Sequence, residues 1–332
     1  MRPLLTRAVL ISSFVFALSC RPADAPAKRS ANVVLFVVDT LRADYLGCYG
    51  YPRATSDRID ALAARGTRYE DARSQGSWTI PSMLSMLSGL YVTTGEERLP
   101  PDRATLADVV RDAGIETAAF VANAVITRYP EELAGWFRRA RKGSELSIAD
   151  VLSDRHAELT ENVLRTPLIL AGPGFPAGVK RGGLVGNLDL YPTILAALAV
   201  DVPEPVAGVD LASVDPARGR IFARGNMADA VVDGRGFKLI SRTEVVSEAW
   251  QHEWARPFLE ESREFELFDL TADPEELEDA SAARPEILES LSKALESWRM
   301  RNARVTDDTI TDHDRAMLEQ LGYLDDAAGR GD

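Results

Sequence analysis

The sequence predicts an α/β protein with a doubly wound, mostly parallel sheet flanked by helices, followed by a small C-terminal antiparallel sheet with one helix. Val33–Val38 is an unbroken apolar run that is rich in β-branched residues and ends at Asp39. Helical patterns alternate with further apolar runs up to about residue 200, which is typical of a doubly wound sheet. From Ile221 onward, short strand-like runs precede one long helical pattern.

The separate elements follow from local patterns. Val33–Val38 is apolar on both faces, which predicts a buried central strand. Glycine and proline residues interrupt the later patterns and so indicate where the predicted helices and strands end. Helices are predicted at Ile59–Arg65, Thr105–Ala113 and Leu188–Ala199, and strands at Glu116–Val121 and Thr166–Ala171. In the C-terminal part, strands are predicted at Ile221–Ala223, Phe237–Ile240 and Phe265–Leu270, and a helix at about Pro285–Met300.

The first 20 residues have the pattern of a signal peptide. Arg2 and Arg7 precede an apolar run, residues 8–18, that is too short to span a bilayer. The run ends in Ala-Leu-Ser-Cys, which resembles a bacterial lipobox and predicts a lipidated Cys20. Ordinary secretion with an incidental cysteine is the alternative. We therefore expect an exported protein, in the periplasm or at the outer cell surface, anchored to the membrane through Cys20 and a tether at residues 21–30.

Charge and cysteine content exclude other classes. The formal net charge is -13, whereas a nucleic-acid-binding protein needs a basic surface, so no nucleic-acid partner is expected. After Cys20 the chain has a single cysteine, Cys48, which excludes a disulfide framework or a cysteine metal cluster.

Asp39 is the first candidate for a functional residue. It follows the most apolar predicted strand, and ligands of open α/β sheets bind at the carboxyl ends of the strands. An aspartate at this position can instead cap the following helix. The pattern alone leaves both interpretations open.

Thr79 is the second candidate. Pro81 and Ser82 begin an apolar helical pattern, which puts Thr79 at or near the helix N-terminus, where free backbone N–H groups stabilise anions. A hydroxyl there could attack a tetrahedral oxyanion. The alternative is a threonine that only caps the helix.

The third candidate is the segment Ser153-Asp154-Arg155-His156. If residues 148–152 form a strand, Asp154 reaches the same sheet edge as Asp39, and His156 lies beside it. Carboxylate, imidazole and hydroxyl groups at one edge would hold a divalent cation. The alternative is an exposed loop with one histidine.

Several segments together resemble the sulfatase family of the alkaline phosphatase superfamily, which includes phosphonate monoester hydrolases. They follow one another in the family's order and cover almost the whole chain after residue 31. They are NVVLFVVDTLRADYLGCYG at 32–50, SDRIDALAARGTRYEDA at 56–72, SWTIPSMLSMLSGLY at 77–91, TLADVVRDAGIETAAFVAN at 105–123, TPLILAGPGFPAG at 166–178, LDLYPTILAALAV at 188–200, GFKLI at 236–240, FELFDLTADPEELED at 265–279 and DRAMLEQLGYL at 314–324. The resemblance implies a sulfatase-like α/β core at 31–215 and a C-terminal α+β subdomain with a tail at 216–332.

The resemblance also implies roles for matching residues. Asp39, Asp154 and His156 take the places of ligands to one divalent metal ion, Ca²⁺, Mg²⁺ or Mn²⁺. Thr79 takes the place of the nucleophile. Lys238 takes the place of a basic residue that neutralises the substrate, although a lysine in such a strand can also be a solvated edge residue.

The chain departs from the family at two places. Thr79 replaces the Cys or Ser that sulfatases oxidise to formylglycine, and its methyl group blocks that aldehyde, so formylglycine is not expected. Met83 replaces an arginine, and the stretch 124–152 is much shorter than in relatives. The implied function is metal-dependent hydrolysis of sulfate or phosphate/phosphonate esters on an extracytoplasmic sulfated or phosphorylated glycan or lipid. The alternative is a catalytically inactive, envelope-anchored binding protein.

Overall fold

The computed structural model describes residues 31–91, 99, 103–121, 140–142, 159–213, 218–225, 228–242 and 264–302. All elements below lie in one compact unit that begins at Val33. The helices are α1 (Asp57–Ala64), α2 (Thr79–Ser88), α3 (Leu106–Asp112), α4 (Glu161–Leu164), α5 (Leu190–Ala197) and α6 (Pro285–Arg301). The strands are β1 (Thr67–Tyr69), β2 (Ala72–Arg73), β3 (Ala119–Val121), β4 (Ala140–Lys142), β5 (Leu168–Leu170), β6 (Val179–Arg181), β7 (Val185–Gly186), β8 (Arg220–Arg224), β9 (Ala228–Asp233), β10 (Phe237–Arg242) and β11 (Phe265–Asp269).

The N-terminal part contains small sheets instead of one continuous sheet in the ranges described. Strand β1 pairs in parallel with β6 and antiparallel with β5. Strands β2 and β7 form one parallel pair, and β3 and β4 form another. The mixed α/β class is as predicted, whereas a doubly wound sheet is not seen among these residues.

The segment Val33–Val38 corrects the prediction of a buried central strand. It has no regular secondary structure, and Val34 and Phe36 are 88% and 80% exposed. An apolar run is buried in a sheet only when strands pair with both of its edges and helices cover its faces. In the described part of the chain, no strand pairs with this run.

Helix α2 lies at the centre of the largest apolar cluster. Leu84 and Leu87 pack with Tyr191 and Leu195 of α5, and the cluster also includes residues of α3. The helix ends at Gly89, which has a φ of 68°. A side chain there would be strained, and its Cβ would come within 2.8 Å of Val206 Cγ2. This packing fixes the helix that carries Thr79.

The C-terminal part is an antiparallel sheet in the order β11-β10-β9-β8, in which the inner strand β9 was not predicted. One face is covered by α6, whose buried residues recur at helical spacing: Ile287, Leu291, Leu295 and Trp298. They pack on Val231, Leu239 and Leu267 of the sheet. The predicted antiparallel sheet with one helix is confirmed.

The predicted helices are present, with ends that differ from the predicted ones by at most two residues. Thr105 caps α3, since its hydroxyl oxygen accepts a bond from the Asp108 backbone N–H while the Asp108 carboxylate accepts one from the Thr105 backbone N–H. None of the helices in the described ranges has the length and apolar character of a membrane span.

Candidate active site

Thr79 is the first residue of α2 and follows Trp78, whose backbone is extended. Pro81 occupies the first turn, where its missing N–H costs no helical hydrogen bond. The first backbone N–H groups of a helix have no partner within it and favour negative charge nearby. Thr79 therefore lies where developing negative charge is stabilised, as the sequence predicted.

Asp39 lies next to Thr79, although the two residues are 40 positions apart. The Thr79 Oγ1 is 3.3 Å from one carboxylate oxygen of Asp39 and 3.4 Å from the other. Both residues are accessible: Asp39, directly after the exposed segment Val33–Val38, is itself exposed, and Thr79 is half-buried. Thr40, with a φ of 57°, donates its hydroxyl to the Asp39 carbonyl at 2.7 Å. This left-handed turn ends the apolar run beside the Thr79 hydroxyl.

Two serines fix the loop before Thr79. The Ser74 hydroxyl donates to the Ser82 Oγ at 2.7 Å. The Ser82 Oγ in turn lies 2.6 Å from the Trp78 carbonyl and 3.0 Å from the Gly76 carbonyl. These short contacts hold the loop against the first turn of α2.

Gln75 connects the same loop to two other parts of the molecule. Its side-chain oxygen accepts a bond from the Leu188 backbone N–H at 2.9 Å, and its side-chain nitrogen donates to the Arg73 carbonyl. Its own carbonyl accepts from the backbone N–H of Arg224, the last residue of β8, at 3.0 Å. The C-terminal sheet therefore supports the loop that immediately precedes Thr79.

Gly76 permits the close approach of this loop to α2. A Cβ at Gly76 would lie 2.7 Å from Cγ and 2.9 Å from Cβ of Pro81. Both distances are shorter than van der Waals contact, and the proline ring cannot rotate away. Only glycine fits at position 76 without displacement of the helix start.

A buried ion cluster lies behind the loop. The Glu161 carboxylate pairs with Arg73 Nη2 at 2.8 Å and with Lys238 Nζ at 3.1 Å. Lys238 also pairs with Glu276 at 2.7 Å, and Glu276 accepts the backbone N–H of Glu161 at 2.6 Å. Lys238 has no exposed side-chain surface. The cluster joins β2, α4 and β10.

The two glutamates of the cluster differ in their pKa values. Burial disfavours the charged form of Glu161, but the charges of Lys238 and Arg73 outweigh it and lower the pKa of Glu161 to about 2. For Glu276, burial outweighs the attraction of Lys238 and raises the pKa. The difference arises because Glu161 contacts two cations and Glu276 contacts one.

The buried position of Lys238 does not support its expected contact with substrate, and it is not a solvated edge residue either. Strand β10 is an inner strand of the sheet, and the Lys238 ammonium is paired with two carboxylates. A bound sulfate would have to displace one of them. The geometry gives Lys238 a structural role in the cluster.

Asp154 and His156, the other expected metal ligands, lie outside the described residues, as does Cys20. Among the residues described, no group of three or more His, Cys, Asp or Glu side chains could hold a metal ion. The Asp39 carboxylate and the Thr79 hydroxyl are accessible oxygen donors of the kind that Ca²⁺, Mg²⁺ and Mn²⁺ prefer. These two residues fit such an ion as part of its ligand set.

Three residues that support the site were not predicted from the sequence: Gln75, Ser82 and Glu161. Ser82 had a visible signal, because a serine in the first turn of a helix can bond to backbone groups just before the helix. Glu161 had none, since its partners Arg73 and Lys238 are 88 and 77 positions away.

Part of the chain is similar in sequence to known proteins. Residues 31–127 match the family model described as Sulfatase, and this range contains both Asp39 and Thr79. Over this range, the chain is similar to the sulfatases. Arylsulfatase A of Homo sapiens is 33% identical over 100 residues, which are 27% of this chain and 20% of the relative. The N-acetylgalactosamine-6-O-sulfatase of Bacteroides thetaiotaomicron is 29% identical over 96 residues, 26% of this chain and 19% of the relative.

Each of these matches spans about a fifth of the curated relative, so the similarity to sulfatases in sequence covers only part of those enzymes. The structure of the phosphonate monoester hydrolase of Agrobacterium radiobacter is similar over a larger region. The similarity covers 85% of this chain and 98% of the hydrolase chain, with a TM-score of 0.56 and 13% identity. At that identity the likeness concerns the fold.

Proposed function

We propose that this chain is a sulfatase-type hydrolase of sulfate or phosphate/phosphonate esters, with Thr79 as nucleophile. One observation carries the proposal. The Thr79 hydroxyl lies 3.3 Å and 3.4 Å from the Asp39 carboxylate oxygens, at a helix N-terminus and within the segment that matches the sulfatases.

The proposed first step transfers the sulfuryl or phosphoryl group to Thr79. The Thr79 Oγ1 attacks sulfur or phosphorus while its proton passes to the Asp39 carboxylate. The bond from the central atom to the ester oxygen breaks, and the leaving alkoxide takes a proton from water. The N-terminus of α2 stabilises the negative charge that develops on the non-bridging oxygens.

In the second step, water attacks the central atom of the threonine ester and restores the Thr79 hydroxyl. The product is sulfate from a sulfate ester, phosphonate from a phosphonate monoester, or a phosphate monoester from a phosphate diester. This hydrolysis distinguishes Thr79 from a formylglycine, whose hydrated aldehyde would expel sulfate by elimination. The need for attack by water favours phosphate or phosphonate esters.

A divalent metal ion is part of this proposal. Asp39 and Thr79 would contribute ligands to it among the described residues, and Asp154 and His156 remain proposed ligands. When bound, such an ion polarises a non-bridging oxygen of the ester and lowers the pKa of the nucleophile.

Turnover of three aryl substrates tests the nucleophile: a sulfate ester, a phosphonate monoester and a phosphate diester. Thr79→Ala is expected to reduce kcat/KM by on the order of 10³-fold or more for the substrate that the wild type prefers. Thr79→Ser should retain activity, and the exposed Thr55→Ala should match the wild type. Equal turnover by wild type and Thr79→Ala would remove the nucleophile assignment. No turnover by the wild type would favour the binding-protein alternative.

We further propose an exported, lipid-anchored protein that acts on a sulfated or phosphorylated glycan or lipid. The signal-like pattern at residues 1–20 supports export. The glycan is supported by the relative whose name specifies N-acetylgalactosamine 6-O-sulfate chemistry. Cell fractionation of wild type and Cys20→Ser tests the anchor, because only the wild type should remain with the membranes. A soluble wild type would contradict it.

A further inference from the structure

A groove lies between the edge strand β8 and helix α6. Its lining residues are different from those that surround Thr79. Its volume is about 650 Å³, within the range of roughly 300–1,000 Å³ that is typical of ligand sites. Six side chains give the groove its chemical character: Arg220, Phe222, Asp233, Arg235, Ser290 and Arg301. They come from β8, the β9–β10 turn and two distant turns of α6.

The groove is elongated. Ser290 and Arg301 both line it, and their positions on α6 are about 16 Å apart along the helix axis.

The groove is basic in a chain whose formal net charge is -13. It contains three arginines and one acid, Asp233. Asp233 is buried and bonds Arg235 at 2.6 Å, so its charge orients that guanidinium. Arg220 Nη2 donates to the Ser290 Oγ at 3.1 Å. Two of the three guanidinium groups are therefore already held in place, which reduces the entropy lost on binding an anion.

The groove also has an aromatic wall. Phe222 is half-buried and lies parallel to Trp298, with ring centroids 5.2 Å apart. Tyr91 contacts both rings edge-on. Rigid aromatic surface beside forked guanidinium groups suits a ligand that has both ring faces and planar or tetrahedral anions.

We propose that this groove binds an acidic oligosaccharide that carries sulfate or carboxylate groups on successive sugar rings. The arginines bind the anionic groups at both ends of the groove, and Phe222 packs against a ring between them. The site is separate from Thr79. Arg220 and Arg224 are the two ends of β8 and lie about 13 Å apart along the strand. Of these two residues, only Arg224 contacts the loop before Thr79, through the bond from its backbone N–H to the Gln75 carbonyl.

Calorimetry with a fully sulfated hexasaccharide and its desulfated counterpart tests the proposal. The wild type should bind the sulfated chain with an affinity that falls as salt rises, and the desulfated chain much more weakly. Arg220→Glu and Arg301→Glu should each weaken binding about tenfold or more. Arg58→Glu, an equal charge change on the exposed face of α1, should change it less than twofold.

Thr79→Ala should bind the hexasaccharide as the wild type does, so the result does not depend on turnover. Absence of binding by the wild type would overturn the proposal, and so would an equal loss in Arg58→Glu. Equal competition by inorganic polyphosphate would show a general polyanion site and would overturn the assignment to a saccharide. Unchanged circular dichroism and thermal midpoints in the arginine variants would establish that any lost binding is local.

Discussion

The Lys238 Nζ lies 2.7 Å from the Glu276 carboxylate, with no exposed surface on the lysine side chain. The same ammonium contacts Glu161, which also binds Arg73. A buried cation between two carboxylates contributes little net stability as a unit, but removal of one member leaves uncompensated charge in a medium of low polarity.

Lys238→Met should therefore lower the free energy of unfolding by about 3 kcal/mol, because methionine fills similar space but leaves Glu276 without its cation. Urea denaturation measures the change. The control is Lys293→Met, which removes an exposed lysine paired with Glu289 on α6 and should leave the midpoint unchanged. If both variants have the same midpoint, the buried cluster does not stabilise the fold.

The low pKa of Glu161 predicts acid sensitivity. Because the pKa of about 2 in the folded protein is below the ordinary value of 4.5, the Glu161 contribution is complete above about pH 4.5 and is lost as the pH falls toward 2. At neutral pH, Glu161→Gln should be less stable than wild type by about 3 kcal/mol. The difference should shrink steadily between pH 4.5 and 2 in urea titrations. A difference that is constant over this range would contradict the low pKa.

Gly76→Ala should disturb the site more than the fold. The new methyl group would lie 2.7 Å from Pro81 Cγ and should displace the first turn of α2, which carries Thr79. We expect kcat/KM to fall about a hundredfold, since small displacements of a nucleophile are costly. Gly182→Ala is the matched control, because a Cβ there meets nothing within 4 Å. Similar activity in the two variants would show that the loop geometry is unimportant.

Asp39→Asn should reduce turnover by about 10²–10⁴-fold, because an amide cannot accept the Thr79 proton as a carboxylate does. It should also abolish any thermal shift produced by Ca²⁺, Mg²⁺ or Mn²⁺ if Asp39 is a metal ligand. Asp201→Asn, at an exposed position, serves as the control. Full activity in Asp39→Asn would leave Thr79 without its proposed proton acceptor.

Because the segment Val33–Val38 is exposed, charged substitutions within it should be tolerated. Val34→Asp and Phe36→Asp should change the free energy of unfolding by no more than about 0.5 kcal/mol, as for other surface positions. They should also reduce light scattering by the purified protein, because exposed apolar runs promote association. Strong destabilisation would instead show that this run is buried in a sheet.

Local patterns predicted much of this molecule. The start of α2 followed from Pro81 and the apolar helix after it, and the antiparallel sheet with α6 followed from short strands and one long helical pattern. Thr79 was also predicted to lie at or near the start of this helix, whereas the roles predicted for Asp39 and Thr79 stay predictions. These features depend on residues close in sequence.

Features that depend on distant partners were not predictable. The composition of Val33–Val38 is that of a buried strand, but composition does not reveal whether neighbouring strands will pair with it. Lys238 was predicted either to neutralise the substrate or to be a solvated edge residue, whereas its carboxylate partners Glu161 and Glu276 come from distant parts of the chain.

The bond from the Arg224 backbone N–H to the Gln75 carbonyl has a consequence for how this protein tolerates sequence change. It couples the last residue of β8 to the loop before Thr79, so insertions or deletions at either end must preserve the spacing of both. Lengthening the chain just after β8 would alter chemistry at a residue more than 140 positions earlier. The loop before Thr79 belongs to the first third of the chain, but its position depends on a contact with the last third.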